Sequence, residues 1–110
     1  MAHGKDPVCE VEETIKIIGG RWKPMIIYVL FDGPLRFSEL HRRIPGITQK
    51  MLTQQLKDLV ADQIIDRVLF PAVPPKVEYS ITEIGKTLEP IMKAMYLWAE
   101  VYRQASNKTS

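Results

Sequence analysis

FSELHRRIPGITQKMLTQQLKDLV, residues 37–60, holds two helical patterns separated by a compact proline-glycine break. In the first pattern, Leu40 and Ile44 lie one helical turn apart, and Ser38 is placed to cap the helix with its hydroxyl. After the break, Thr48 is placed to cap the second helix in the same way. The apolar residues of the second helix recur at helical spacing and are expected to form its buried side: Met51, Leu52, Leu56, Leu59 and Val60. Two helices around a tight turn predict a helix-turn-helix.

Beyond this stretch the apolar period changes from helical to alternating. The alternation runs through residues 64–70 and again through residues 77–81, which predicts two antiparallel strands. Three prolines lie in the connection, residues 71–76, and proline cannot donate a ladder hydrogen bond. We therefore expect a hairpin with a stiff projecting tip, and a very short additional strand at residues 35–36.

Two further helices are predicted before the helix-turn-helix. Apolar residues from Val8 to Ile18 recur every three or four positions, and the Gly19–Gly20 pair ends that pattern. Residues 22–30 form a second apolar stripe. Pro24 falls in the first turn of this helix, where its missing N–H has no partner to lose.

The last predicted helix follows Thr82, which is placed as its cap, and carries an apolar seam from Ile84 onward in steps of four and three. Pro90 lies inside this pattern and removes a backbone hydrogen bond, so we expect a kink or a break there. The helix is apolar on other faces too, more than a small monomer would cover. We therefore expect a homodimer. The predicted interface residues are Val11, Ile15, Leu88, Ile91, Met95, Trp98 and Tyr102.

The order of these elements predicts the fold class: α+β, mainly α, a winged helix-turn-helix with a two-stranded wing and terminal dimerisation helices. A chain of 110 residues has room for one domain, placed over residues 1–110, with about residues 9–105 ordered. Hydrophobic residues make up 45% of the chain and charged residues 25%. This balance excludes a disordered, collagen-like or disulfide-scaffold protein.

Positive charge is concentrated in the helix-turn-helix. Residues 36–57 carry five Lys or Arg side chains against one Glu, whereas residues 1–20 and 78–100 are acidic. Glutamine can pair with adenine and lysine can donate to guanine in the major groove, while arginines and the N–H groups at a helix start hold phosphates. The predicted DNA-contacting residues are Arg36, Ser38, Arg42, Arg43, Thr48, Gln49, Lys50, Thr53, Gln54, Lys57, Arg67 and Lys76.

Several short motifs occur together in one order along the chain. The most specific is VPPKVEYSIT, residues 73–82; the others are Cys9, residues 19–22, 36–40, 44–48 and 52–53, Gly85 and Trp98. In these motifs the chain resembles the HxlR-type winged helix-turn-helix transcriptional regulators, which belong to the broader MarR-like group. The resemblance implies a homodimeric, sequence-specific regulator on a pseudo-palindromic DNA operator. It also implies that the helix after Thr48 is the recognition helix and that the hairpin is the wing.

Cys9 is the single cysteine of the chain, so its oxidation can yield only an intersubunit disulfide or an adduct. The resemblance makes it a candidate redox sensor, because several members of the family respond to oxidants or electrophiles through a cysteine near the first helix. Three glutamates at positions 10, 12 and 13 disfavour a reactive thiolate, and an incidental thiol is the alternative interpretation. A small-molecule effector is a further candidate.

Other functions lack the residue spacing that they require. His3, His41 and Cys9 do not have metal-ligand spacing, and no phosphate-binding glycine motif or nucleophile elbow is present. We expect no metal, no cofactor and no enzymatic activity. The longest apolar run, residues 25–31, is far shorter than the roughly 20 residues of a membrane span, and we expect a cytoplasmic protein. The alternative function is a winged-helix protein-interaction module whose basic face binds an acidic partner.

Overall fold

The computed structural model describes residues 6–108, and the remaining ends of the predicted 1–110 domain lie outside the described residues. The predicted winged helix-turn-helix is confirmed, with one short helix more than the sequence pattern indicated. The elements are α1 (Val8–Ile18), α2 (Lys23–Leu30), α3 (Phe37–Arg43), α4 (Gln49–Ala61), β1 (Ile65–Phe70), β2 (Lys76–Ile81), α5 (Glu83–Lys86) and α6 (Glu89–Lys108).

The hydrophobic core lies between α2, α3, α4 and the start of the hairpin. Ile27, Leu40 and Leu52 have no exposed surface, and Leu56 is 2% exposed. Each such side chain contributes about 1.5–3 kcal/mol to folding. Met51 was predicted to be buried, but it is 39% exposed, because one residue turns the helix by about 100° away from the buried Leu52. The core therefore fixes which face of α4 points to solvent.

The wing is a two-stranded antiparallel sheet, as predicted. Ile65 pairs with Ile81 at its base and Phe70 with Lys76 at its tip. Leu35 forms an isolated bridge to Tyr79 with backbone hydrogen bonds of 3.0 and 2.8 Å. The bridge matches the expected short strand and ties the base of the wing to the segment before α3.

The predicted caps Thr48 and Thr82 are present in the structure, whereas the predicted cap Ser38 is not. The Thr48 hydroxyl accepts the Met51 N–H at 3.0 Å, as predicted for α4. The prediction that Ser38 caps α3 is wrong. The helix starts at Phe37, two residues before the start that a Ser38 cap implies, so Arg36 is the N-cap residue, and the Glu39 carboxylate accepts the Arg36 N–H at 2.8 Å. Ser38 thus lies inside the first turn, where the Leu40 N–H already donates to the Arg36 carbonyl at 3.0 Å and needs no cap.

The predicted last helix is divided in two. Thr82 caps only the short α5, where its hydroxyl accepts the Gly85 N–H at 3.0 Å. The chain then turns, and α6 starts at Glu89. Pro90 is the second residue of α6, where a missing N–H breaks no intrahelical bond. The expected interruption is present, and it falls just before the proline rather than at it.

Candidate nucleic-acid interface

Helix α4 presents a polar face to solvent. Its inward residues Leu52, Leu56 and Leu59 are buried. All five residues predicted to face a ligand from this helix are exposed, and they are Gln49, Lys50, Thr53, Gln54 and Lys57. The structure thus brings the predicted donor residues together on one exposed surface, which we call the α4 donor face.

Not every side chain on the α4 donor face has a free proton to donate. The Thr53 hydroxyl donates to the Gln49 carbonyl at 2.9 Å. Toward a ligand, Thr53 therefore offers its methyl group and oxygen lone pairs, which suit a thymine methyl or a donor group of a base. Within residues 6–108, no hydrogen bond or ion pair engages the side chain of Lys50, whose ammonium carries three donors on a flexible stem.

Gln54 and Asp58 interact along the same helix. The Gln54 Nε2 group donates to Asp58 Oδ1 at 3.0 Å, and the Lys23 ammonium of α2 lies 3.2 Å from Asp58 Oδ2. The hydrogen bonds from Lys23 and then from Gln54 hold the pKa of Asp58 below its ordinary value. Asp58 is therefore ionised at neutral pH, and α2 is linked to α4 through it.

The predicted phosphate-binding cations fall into two groups. Arg36 and Arg42 are exposed beside α3, together with Ser38. Two others, Arg43 and Lys76, form ion pairs within the chain. Arg43 pairs with Asp32 at 3.4 Å, and Lys76 pairs with Glu78 at 3.5 Å. Both pairs are at least partly exposed and solvent-screened, so each costs little to exchange for a phosphate.

A groove of about 520 Å³ lies between α4 and the wing. Lys57 and Arg67 line it together with Thr53, Phe37 and Tyr79. Two cations in one groove beside the α4 donor face attract an anionic ligand such as a phosphate backbone. The wing cation Arg67 thereby shares one surface with Lys57 of α4, although it lies ten residues farther along the chain.

Two residues of this surface were missed by the sequence reasoning. Neither Lys23 nor Asp58 was among the predicted DNA-contacting residues. The spacing of four residues between Gln54 and Asp58 could have indicated their contact. No sequence signal placed Lys23 beside Asp58, because their contact depends on how α2 packs against α4.

The predicted dimer residues lie mainly on exposed apolar faces. Val11 and Ile15 of α1 are 57% and 60% exposed, and on α6 the exposures are 42% for Ile91, 48% for Met95, 64% for Trp98 and 57% for Tyr102. Leu88 is partly buried and packs against the core. Trp98 and Tyr102 stack with their ring centroids 5.3 Å apart.

Ile91, Met95, Trp98 and Tyr102 form an exposed apolar stripe on α6, which we call the α6 seam. It continues into a neighbouring apolar cleft. Met95 lines both the seam surface beside Trp98 and a cleft of about 420 Å³ between α2 and α6. Contiguous apolar surface of this kind is rarely left uncovered on a monomer.

Cys9 is an exposed free thiol on α1. Within residues 6–108, no group of three or more His, Cys, Asp and Glu side chains is arranged to hold a metal ion. Among the helices of that part of the chain, none combines the length and the apolarity needed to cross a bilayer.

The fold and the exposed α4 donor face are those of a winged-helix transcriptional regulator. Residues 17–107 match the model of the HxlR-like helix-turn-helix family. The chain is 50% identical over 100 residues to the HTH-type transcriptional regulator YdeP of Bacillus subtilis (strain 168), and the alignment covers 91% of this chain and 78% of YdeP. The chain therefore belongs to the HxlR-like helix-turn-helix family.

Solved structures agree with this assignment. The redox regulator HypR in its reduced form superimposes with a TM-score of 0.84 at 49% identity, covering 90% of this chain and 98% of HypR. A MarR-family transcriptional regulator of Enterococcus faecalis V583 gives a TM-score of 0.83 at 32% identity, with 97% of each chain covered. The resemblance seen in the sequence motifs is confirmed, and the chain is a transcriptional regulator of the HxlR and MarR type.

Proposed function

We propose that this chain binds a pseudo-palindromic DNA operator as a homodimer in the cytoplasm and regulates transcription from it. The observation that carries the proposal is the α4 donor face, which is exposed and rich in donors, and whose neighbouring acid, Asp58, is neutralised by Lys23. Such a surface suits the acceptor-rich major groove and the phosphates around it. The regulatory role of the family supports the same conclusion.

In the proposed complex the two α4 helices enter successive major grooves about 34 Å apart, as the twofold axis of a dimer requires. Lys50, in the first turn of α4, and Gln54, one turn farther along, contact base edges. Phosphates are held by the free N–H groups at the start of α4 near Thr48, by Ser38 and by the cations of α3, Arg36 and Arg42.

The wing completes the phosphate contacts. Arg67 and Lys57 share the groove beside α4 and are placed to hold one backbone strand. Lys76, near the wing tip, lies with its ammonium 4.9 Å from the centre of the Phe70 ring. Lys76 can exchange its Glu78 partner for a phosphate and keep the cation–π contact with Phe70.

The dimer is proposed to form through α6 and α1. The α6 seam repeats in steps of three and four residues over Ile91, Met95, Trp98 and Tyr102, which is the pattern of a helix that packs along another helix. Val11 and Ile15 extend the apolar surface on α1. Covering both faces by a second subunit removes the exposed patch and fixes the distance between the recognition helices.

Base-reading and phosphate-binding residues are expected to behave differently. Lys50→Ala should weaken binding by about 1–3 kcal/mol at particular base pairs and so relax sequence preference. Arg42→Ala should weaken all duplexes alike and lower the salt slope by about 1. Titrations at several salt concentrations measure both effects, on an operator located by footprinting the DNA that flanks the protein's own gene. Identical behaviour of the two variants would contradict the assignment of roles.

We further propose that Cys9 makes operator binding responsive to oxidants or electrophiles. The relative HypR is named a redox regulator, and Cys9 is exposed on α1 beside the proposed dimer surface. A thiol-oxidising diamide takes two electrons and two protons from two Cys9 thiols, one from each subunit, and leaves an intersubunit disulfide. Electrophiles instead add to a single thiol.

Diamide treatment is expected to change the operator affinity of the wild-type protein by about fivefold or more, whereas Cys9→Ser should not respond. Non-reducing electrophoresis reports whether a disulfide-linked dimer forms. Equal affinity of treated and untreated wild-type protein would remove the sensor hypothesis.

A further inference from the structure

The Gln54 amide is held in one orientation by its neighbours. Its Nε2 group lies 3.0 Å from Asp58 Oδ1. An ionised carboxylate can only accept hydrogen bonds, so the nitrogen of the amide, and not its oxygen, must face Asp58. A flipped amide would set its oxygen against the carboxylate. The Asp58 carboxylate thus sets the orientation of the Gln54 amide.

Lys23 contacts the other carboxylate oxygen of Asp58 and favours the charged form of this side chain. Its ammonium lies 3.2 Å from Asp58 Oδ2, and the Lys23 side chain is only 16% exposed against 38% for Asp58. Lys23 is the first residue of α2, so it approaches from a second helix and leaves the Gln54 side of Asp58 open. It also offsets a negative charge that would otherwise repel the phosphates of a bound duplex.

The hydrogen bond to Asp58 leaves Gln54 with a carbonyl oxygen and one N–H for a ligand. An acceptor and a donor side by side match the adenine edge in the major groove, where N6–H donates and N7 accepts. Helix α4 buries Leu52, Leu56 and Leu59, and Gln54 lies on the opposite, exposed side of the helix. The fixed amide therefore belongs to the surface proposed to meet the bases.

We infer that Asp58, held by Lys23, is a positioning residue that presents the Gln54 amide for adenine recognition within each half-site. The inference rests on the proposed DNA binding by α4. Asp58 itself touches no base in this arrangement. Removing its charge should relax selectivity at one base pair without weakening the phosphate contacts that dominate affinity.

The test compares Asp58→Asn with the wild-type protein on an operator and on duplexes with each base pair substituted in turn. An asparagine accepts or donates, so both orientations of Gln54 become available. The preference for adenine at one symmetrically repeated position should fall by about tenfold. Affinity for unrelated duplex DNA should stay equal or rise, because a negative charge beside the phosphates is lost.

Three further variants separate the positioning role of Asp58 from a general effect of its charge. Asp62→Asn removes the same charge from the exposed C-cap of α4 and should keep the adenine preference. Asp58→Glu restores an acceptor-only group and should recover much of the preference. Gln54→Ala should lose the same preference, and adding Asp58→Asn to it should cause no further loss. A similar thermal unfolding midpoint for all variants shows that the fold is retained.

Full adenine preference in Asp58→Asn, together with its loss in Gln54→Ala, would overturn the positioning role and leave the proposed DNA binding intact. The absence of salt-dependent binding of the wild-type protein to any duplex would overturn both. A loss of preference in Asp62→Asn equal to that in Asp58→Asn would show a general charge effect and would also overturn the inference.

Discussion

Replacing Trp98 with glutamate is expected to dissociate the proposed dimer and to lower operator affinity by about 100-fold or more. The Trp98 side chain is 64% exposed in the single chain, so the fold of the subunit does not depend on it. In the dimer this position would be covered, and a carboxylate buried there without a partner carries a large desolvation cost. After dissociation, each recognition helix must bind its half-site alone.

The neighbouring residues make Trp98 the position of largest effect. Its ring stacks on Tyr102, and Ile91 and Met95 continue the same stripe along α6. Aromatic residues that are exposed in a monomer and central to an apolar stripe commonly dominate the energy of an interface. The substitution removes such a residue and adds a charge at the same point.

Sedimentation equilibrium and operator titration measure the two expected changes for Trp98→Glu. Gln104→Glu is the matched control, because it adds the same charge to α6 at an exposed position away from the seam. It should remain dimeric and bind normally. Circular dichroism should show equal helix content in both proteins. A Trp98→Glu protein that stays dimeric with wild-type affinity would contradict the proposed interface.

Local patterns predicted most of the fold because the decisive interactions are short in range. Thr48 caps α4 through a residue three positions away, and the buried leucines of α4 recur within one helix. The Ser38 prediction failed because α3 begins at Phe37 with Arg36 at the N-cap, so Ser38 lies inside the first turn instead of before it. The division between α5 and α6 depends on packing as well as on Pro90.

The candidate site was predictable only to the extent that one helix determines it. Helical spacing placed Lys50, Thr53 and Gln54 on one face, and their exposure agrees with that interpretation. Contacts between elements were not predictable. The Lys23 link to Asp58 and the Arg43 link to Asp32 join residues that are 35 and 11 positions apart in sequence. Such pairs change how many donors are free for a ligand.

The junction between the wing and α5 leaves no room for a side chain at Gly85. A β-carbon built there would overlap the Ile64 carbonyl oxygen, and it would lie 3.2 Å from both Ile81 and the Thr82 hydroxyl. The same Ile64 carbonyl accepts the Thr82 N–H at 3.1 Å, and the Thr82 hydroxyl, which donates to the Gln63 carbonyl at 2.7 Å, lies 3.0 Å from it. The nearest of these atoms is a backbone oxygen, and it cannot move without breaking the contact that joins α5 to the base of the wing.

Gly85→Ala is accordingly expected to lower the free energy of unfolding by about 3 kcal/mol, the upper part of the range for inserting a methyl group into packed structure. For a domain of this size the melting temperature should fall by about 10 °C or more. Thermal and urea unfolding measure the change. Lys86→Ala is the control, because the next residue is exposed and its truncation should leave the melting temperature within a few degrees of the wild-type value. An unchanged melting temperature in Gly85→Ala would mean that α5 can shift away from Ile64, and it would contradict the tight contact between α5 and the base of the wing.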